Sequence, residues 1–266
     1  MPFSVSISDS QKIYVPGSPI GQNRGRVRLN APSEGGGGGG GEFLGDGTYS
    51  VLSGPLTCGS FFIDGYTNGN TLDTVASSQL NFGTGSFTVE WWQYEIQTGH
   101  SHVRPFNFGT YPTQSFGVSY EGGTFYGWFP SATSVGTLTN NYGQWVHVAI
   151  TRLNGVIKVF RNGQQLGGNI SNTSNIVHST GLTIGNEDTP GIGSQFNGYI
   201  TNFHIMKASK YLTNFTPDTS KPIPPTSQTV FLLACDDAGN VSKDYVNQIA
   251  TSAYGNTWNS INPFGF

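Results

Sequence analysis

Apolar and polar residues alternate with period two through two long stretches, Ser86–Glu95 (SFTVEWWQYE) and Gly143–Gly167 (GQWVHVAITRLNGVIKVFRNGQQLG). Successive side chains of a strand point to opposite faces, so this period predicts strands. In the first stretch Phe87, Val89 and Trp91 face one way, and Thr88, Glu90, Trp92 and Tyr94 the other. Large aromatics on both faces predict a central strand with cover on both sides. Asn154-Gly155 and Asn162-Gly163 interrupt the second stretch. Such dipeptides accept positive φ at both central positions of a type I′ turn, so an up-down-up meander is expected. Further runs of strand length lie at Phe61–Ile63, Thr71–Val75, Arg104–Phe108, Ser115–Tyr120, Thr124–Phe129, Leu182–Gly185, Gly198–Met206 and Thr229–Ala234, between Gly, Pro and Asp-Gly breaks. Many short strands at this spacing predict a β-sandwich or barrel. The one helical turn expected is at Ala208–Leu212.

The ends of the chain follow a different pattern. Residues 1–58 read as an extended Gly/Pro-rich N-terminal arm: prolines break its short apolar pieces, and Gly35 to Gly41 are seven consecutive glycines. Such a run has no side chains to bury and acts as a flexible or extended connector. It is not a phosphate-cradling loop, which needs GK[ST] after it, where Glu42-Phe43-Leu44 stands. The alternating pieces FSVSI and RVRL predict strands that pair outside the arm. Residues 59–236 form the body and 237–266 a C-terminal tail, whose closing Phe264 and Phe266 are expected to dock. Residues 213–228, with Pro217, Pro222, Pro224 and Pro225, predict an extended crossing that returns the chain to the sheet edge.

Composition sharpens the class. Charged residues are 10% and glycines number 38, against about 25% charged and half as much glycine in an average domain. A surface with so little charge is poorly defended against association, so burial in an assembly is expected. Residues 1–33 carry Lys12, Arg24, Arg26 and Arg28 against Asp9, a net +3 on a body of net −6. That basic arm suits an acidic partner or a second copy of the chain, but four charges are too few to argue for nucleic acid. Cys58 and Cys235 make no disulfide framework and are expected as buried free thiols. No secretory leader and no membrane-length apolar run is evident, which predicts a chain kept in a cytoplasm and not inserted in a membrane.

Five ordered blocks, FFIDGYTNGNTL, LNFGTGSFTVEWW, GQWVHVAITR with VIKVFRNGQQLG, LTIGNED and FNGYITNFHIMKASKY, cover about Gly59 to Asp236. Together they resemble the laminin G-like, or concanavalin A-like, jelly-roll family. The resemblance implies an all-β, two-sheet antiparallel jelly-roll sandwich. Many relatives carry an acidic pair after the FNGYI block; Thr201-Asn202 stands here and argues against calcium at that point. The Gly-rich arm and the KYLTNFTPDTSKPIPP return are similar to structural proteins of large DNA viruses and tailed phages. That likeness implies a non-enzymatic virion structural protein, assembled in a host cytoplasm and contacting other virion proteins or copies of itself. The alternative it leaves open is a carbohydrate-binding module for attachment to host glycans.

Candidate ligand groups are few. Tyr111, Tyr126, Trp128 and Asn186 are expected in or beside loops, where aromatic faces and an amide hold a pyranose; core packing competes for each. Asp64, Glu187 and Asp188 are loop carboxylates of the type that gathers around calcium, and turn formation explains them equally well. His100 and His102 share a strand face at i, i+2 but lack a third ligand. His147 is expected as a core histidine bonded to backbone. Glycoside hydrolysis needs two carboxylates facing one cleft. Glu90 and Glu95 differ by five and face opposite ways, so no enzyme is expected.

Overall fold

The computed structural model describes residues 58–66, 70–96, 100, 102–109, 114–139, 142–186, 194–235, 242–246 and 249–265. The arm through residue 57, Tyr111, Glu187, Asp188 and Phe266 lie outside the described residues. In chain order the strands are β1 (Ser60–Ile63), β2 (Thr71–Thr74), β3 (Phe87–Glu95), β4 (His102–Phe108), β5 (Phe116–Glu121), β6 (Thr124–Trp128), β7 (Ala132–Thr137), β8 (Trp145–Leu153), β9 (Val156–Arg161), β10 (Gln164–Ser171), β11 (Leu182–Ile184), β12 (Gly198–Met206), β13 (Thr229–Leu233), β14 (Thr251–Tyr254) and β15 (Thr257–Asn259). They form two antiparallel sheets packed as a jelly-roll sandwich. Sheet A runs β10-β9-β8-β3-β12-β1-β15 with β13 also on β12, and sheet B runs β14-β2-β11-β4-β5-β6-β7.

The meander forms as the alternation requires. Asn154 and Gly155 have φ of 49° and 73°, and Asn162 and Gly163 48° and 74°, the left-handed values of type I′ turns whose twist matches the flanking strands. Strand β3 lies between β8 and β12, with Phe87, Val89 and Trp91 fully buried between the sheets. The Trp91 ring meets Phe106 of sheet B edge-on at 5.2 Å and stacks near Phe203 at 5.8 Å. Each such side chain contributes about 1.5–3 kcal/mol of burial.

The outer face of sheet A is covered too. Residues 207–228 form a strap without regular structure, which crosses that face and returns as β13. The Phe215 N–H donates to the Gly163 carbonyl at 2.9 Å, and the Ile223 N–H donates to Asn202 Oδ1 at 2.6 Å. Tyr211 and Phe215 stack at 3.7 Å. Trp92 is 4% exposed, with Phe264 edge-on at 6.0 Å; the expected docking of Phe264 is thereby accounted for. Asn202 has φ 51° at a register shift of β12 against β3, and this bulge turns its amide toward the strap. The helical turn expected at 208–212 is a pair of bends instead, because hydrogen bonds to sheet A claim its backbone: the Lys210 N–H donates to Thr88 Oγ1 at 2.9 Å. Among the described residues the helical turn is the 3₁₀ segment Ser78–Leu80, capped by Ser77.

Residues 251–259, read from sequence within a tail, supply β14 at the edge of sheet B and β15 at the edge of sheet A. Cys58 and Cys235 are both buried as thiols. Among the described residues no helix is long and apolar enough to cross a membrane.

Candidate functional site

Alternation along β6 directs Phe125 and Gly127 inward and Tyr126 and Trp128 outward. A Cβ at Gly127 would strike the Phe129 ring, so the position between the two aromatics must be glycine. Across the ladder Trp128 pairs with Gly117 and Tyr126 with Ser119. Gly117 offers no side chain, so the indole lies over β5 and donates from Nε1 to Ser119 Oγ at 3.1 Å. Ser119 in turn donates to Glu121 Oε1 at 2.6 Å, and His102 Nε2 is 3.6 Å from Glu121 Oε2. Tyr126 and Trp128 are both partly exposed. The outer face of β5 and β6 thus presents two partly exposed aromatic side chains one pleat apart, beside a carboxylate and an imidazole and over the buried Ser119 hydroxyl.

At the end of the sandwich where β3, β7 and β9 stop, the interior turns polar. Tyr120 OH and Trp91 Nε1 both donate to Gln93 Oε1 at 2.8 Å. Burial pushes the Glu95 carboxyl up to about 7, although the Arg161 charge opposes this. The Arg161 guanidinium donates from Nη1 to the Thr139 carbonyl at 2.8 Å. Beside it Thr137, Thr139, Asn162, Gln164 and Gln165 help line a cavity of about 210 Å³.

A third polar group lies under the strap. Glu90 is fully buried. Its Oε1 accepts from Lys210 Nζ at 2.7 Å and lies 2.9 Å from His204 Nδ1; its Oε2 accepts from Tyr211 OH at 2.7 Å and lies 3.2 Å from His147 Nε2. Burial acts to raise its pKa, but hydrogen bonds with His147 and His204 and the Lys210 charge outweigh it and hold the carboxyl well below its ordinary value. His204 Nε2 reaches Thr229 Oγ1 at 2.7 Å, so β12, β13 and the strap meet at one carboxylate. His147 Nδ1 has no partner and the ring lines a cavity of about 60 Å³, room for about two waters. The imidazole is therefore bonded to a carboxylate, not to backbone as the sequence suggested. Its main-chain N–H donates to Asn162 Oδ1. This cluster was missed because its members are separated by up to 121 residues; the one visible signal was a Glu in the middle of an aromatic strand.

The other sequence candidates do not converge. Tyr126 and Trp128 come together, but within β6, not in a loop. Asn186 is fully buried after β11 with neither amide atom paired, so it presents nothing to that face. Asp64 accepts from the Tyr66 N–H at 3.0 Å, a local turn bond. His100 Nε2 is 2.8 Å from the Gly65 carbonyl, whereas His102 sits against Glu121 on β4, so the two imidazoles do not act as a pair. Among the described residues no group of His, Cys, Asp and Glu is arranged to hold a metal ion.

Residues 67–210, just over half the chain, match the family model of the concanavalin A-like lectin/glucanases superfamily. No curated protein matches the chain. Among solved structures, a putative carbohydrate binding protein from Bacteroides ovatus is similar with TM-score 0.56 and 16% identity, over 79% of this chain and 65% of that one. The chain therefore spans less than two thirds of that protein's length. The native heptameric SAP-like pentraxin from Limulus polyphemus has TM-score 0.54 and 13% identity, over 80% of this chain and 100% of that one. These likenesses establish the shared sandwich fold.

Proposed function

The chain belongs to the concanavalin A-like lectin/glucanase superfamily, and from that premise we propose that it is a non-catalytic carbohydrate-binding module. The observation that carries this reading is the outward pair Tyr126 and Trp128 on β6, set beside Ser119, Glu121 and His102. A pyranose has apolar C–H faces and a rim of hydroxyls, so it binds where a ring face stacks on it and nearby polar groups take its hydroxyls. An aromatic pair one pleat apart offers stacking to successive sugar units, and Glu121 and His102 offer acceptor and donor groups. Binding without catalysis fits the placement of the carboxylates: Glu90 is spent on four internal contacts under the strap, and Asp73, which shares the outer face of sheet B with Glu121, lies three strands away on β2, about 14 Å or more and too far to act across one glycosidic bond.

A glycan array probed with the full chain tests the reading. Binding to a defined saccharide class, reduced at least about tenfold by Trp128→Ala, is expected, because loss of one stacking partner and its hydrogen bond removes about 1.4 kcal/mol or more. Glycan binding that survives Trp128→Ala and Tyr126→Ala unchanged refutes the site. The particle-subunit reading rests on the arm at residues 1–58, of which 1–57 lie outside the described residues. Deleting residues 1–41 separates the two: a sugar-binding body keeps its array profile, whereas a particle subunit loses self-association.

A further inference from the structure

The polar cavity beside Arg161 is lined by none of the residues of the aromatic face. At about 210 Å³ it is smaller than the roughly 300–1,000 Å³ that encloses a drug-sized ligand, so it suits one end group of a longer molecule. Its chemistry is set by Arg161. Two arginines of sheet A make the contrast. Arg152 is buried and spends its donors on the chain, with four hydrogen bonds to the Gly83, Gly85 and Ser174 carbonyls and Asn172 Oδ1. Among the described residues the Arg161 side chain makes one hydrogen bond, to the Thr139 carbonyl, which leaves most of its five-donor fork unused at the cavity wall.

The surroundings are donor-rich as well. Thr137 brings a hydroxyl, and Gln164 accepts from Asn214 through Oε1, leaving its NH₂ to donate. The Arg161 charge acts on the Glu95 carboxyl, whose pKa burial raises to about 7, so at neutral pH Glu95 offsets Arg161 only in part. An unspent guanidinium among hydroxyl and amide donors is complementary to a carboxylate, which accepts bidentate hydrogen bonds and carries the opposite charge.

One wall residue also ties the cavity to the aromatic strand. Thr137 on its wall pairs with Thr124 of β6, and Thr124, Tyr126 and Trp128 share the outer face. At about 3.3 Å per residue, Tyr126 lies about 7 Å and Trp128 about 13 Å from that row. We propose that the Arg161 cavity binds the carboxylate of an acidic sugar, a uronate or a sialate, at the end of a saccharide whose neighbouring rings stack on Tyr126 and Trp128. The inference rests on the sugar-binding reading and adds the chemical class of the ligand.

The test uses the full chain on an array of uronate- and sialate-terminated oligosaccharides, each spotted beside its methyl ester. The two members of a pair share every ring and differ in one charge. Wild type is expected to favour at least one acid over its ester by about tenfold or more, the worth of a charge-assisted hydrogen bond. Arg161→Gln should bring that ratio close to one. Arg161→Lys, which keeps the charge but not the fork, should give an intermediate ratio and also serves if the glutamine variant fails to fold. Equal binding of acids and esters by wild type, or a preference unchanged in both variants, overturns the carboxylate site and leaves the carbohydrate reading standing. Binding to no spot overturns the carboxylate site, and the carbohydrate reading falls with it only if the general glycan array is blank as well.

Discussion

Replacing Glu90 with Gln removes one negative charge from the junction of β3, β12 and the strap while keeping the side chain's shape. Four polar groups converge on the two carboxylate oxygens. An amide retains one acceptor oxygen and presents an NH₂ to the other pair. The Tyr211 hydroxyl can turn to accept, and a neutral imidazole can change tautomer, but the Lys210 ammonium can only donate. Breaking a fully buried ion pair costs about 3–5 kcal/mol. The Lys210 side chain is 31% exposed, so water recovers part of this and about 2–3 kcal/mol is expected. For a domain of this size that is a fall in Tm of roughly 5–10 °C, read by calorimetry at pH 7. The pH dependence has a definite sign. Because the folded pKa of Glu90 is depressed, its stabilisation is complete above the unfolded value near 4.3–4.5 and is lost as pH falls through the folded value. Wild type and Glu90→Gln should therefore converge in stability below about pH 4.5. Amide exchange should quicken at Lys210, Phe215 and Ile223, whose N–H groups hold the strap. A loss below about 0.5 kcal/mol at pH 7, or a gap that persists undiminished at pH 2, would refute the reasoning.

Other perturbations follow from the same geometry. His178 stacks on Phe108 at 3.7 Å and burial pulls its pKa down to about 3; stability should fall by about 1.4 kcal/mol per pH unit between roughly 6.5 and 3 on its account, and urea titrations of His178→Phe should show a shallower slope than wild type across that window. Gly163 has φ 74°, and a Cβ there would meet the Phe215 carbonyl; Gly163→Ala should cost at least about 1 kcal/mol and loosen the strap, seen as a lowered melting temperature with faster exchange at Phe215. Cys58 and Cys235 are buried thiols, so a thiol reagent should label them only at the rate of opening, rising steeply with denaturant. Rapid labelling of both in native buffer would contradict the burial of the β1 and β13 ends.

The body of the fold was legible because its signals are local. Alternation through Phe87–Tyr94 fixes which side chains face in, and the Asn-Gly pairs fix where β8, β9 and β10 reverse. The extended Pro-rich crossing was legible for the same reason, since proline forbids both helix interior and central strand. Three features were not. β14 and β15 are too short for a period to register, and their pairing partners lie far away in sequence. Tyr126 and Trp128 fall in the expected strand run Thr124–Phe129, but the groups that stand beside them, Ser119, Glu121 and His102, come from β5 and β4, which no spacing within the run reveals. The Glu90 cluster gathers residues from β3, β8, β12 and the strap, and no spacing rule joins them. The same holds for Arg161: the sequence presents it as the residue before a turn, and only the neighbouring strand ends reveal that its donors are unspent.

The placement of β14 and β15 also bears on when the molecule is complete. Thr74 pairs with Thr251 and Ser60 with Asn259, so the open side of both sheets is closed by the last described strands. At about 5–20 residues per second of synthesis, roughly 10–35 s separate the appearance of β2 from that of its partner. Throughout that interval β1 and β2 lack their outer neighbours, and a row of unpaired backbone groups is a template for another chain. Faster synthesis shortens that interval, and fewer nascent copies nearby lower the chance that these edges meet another chain first.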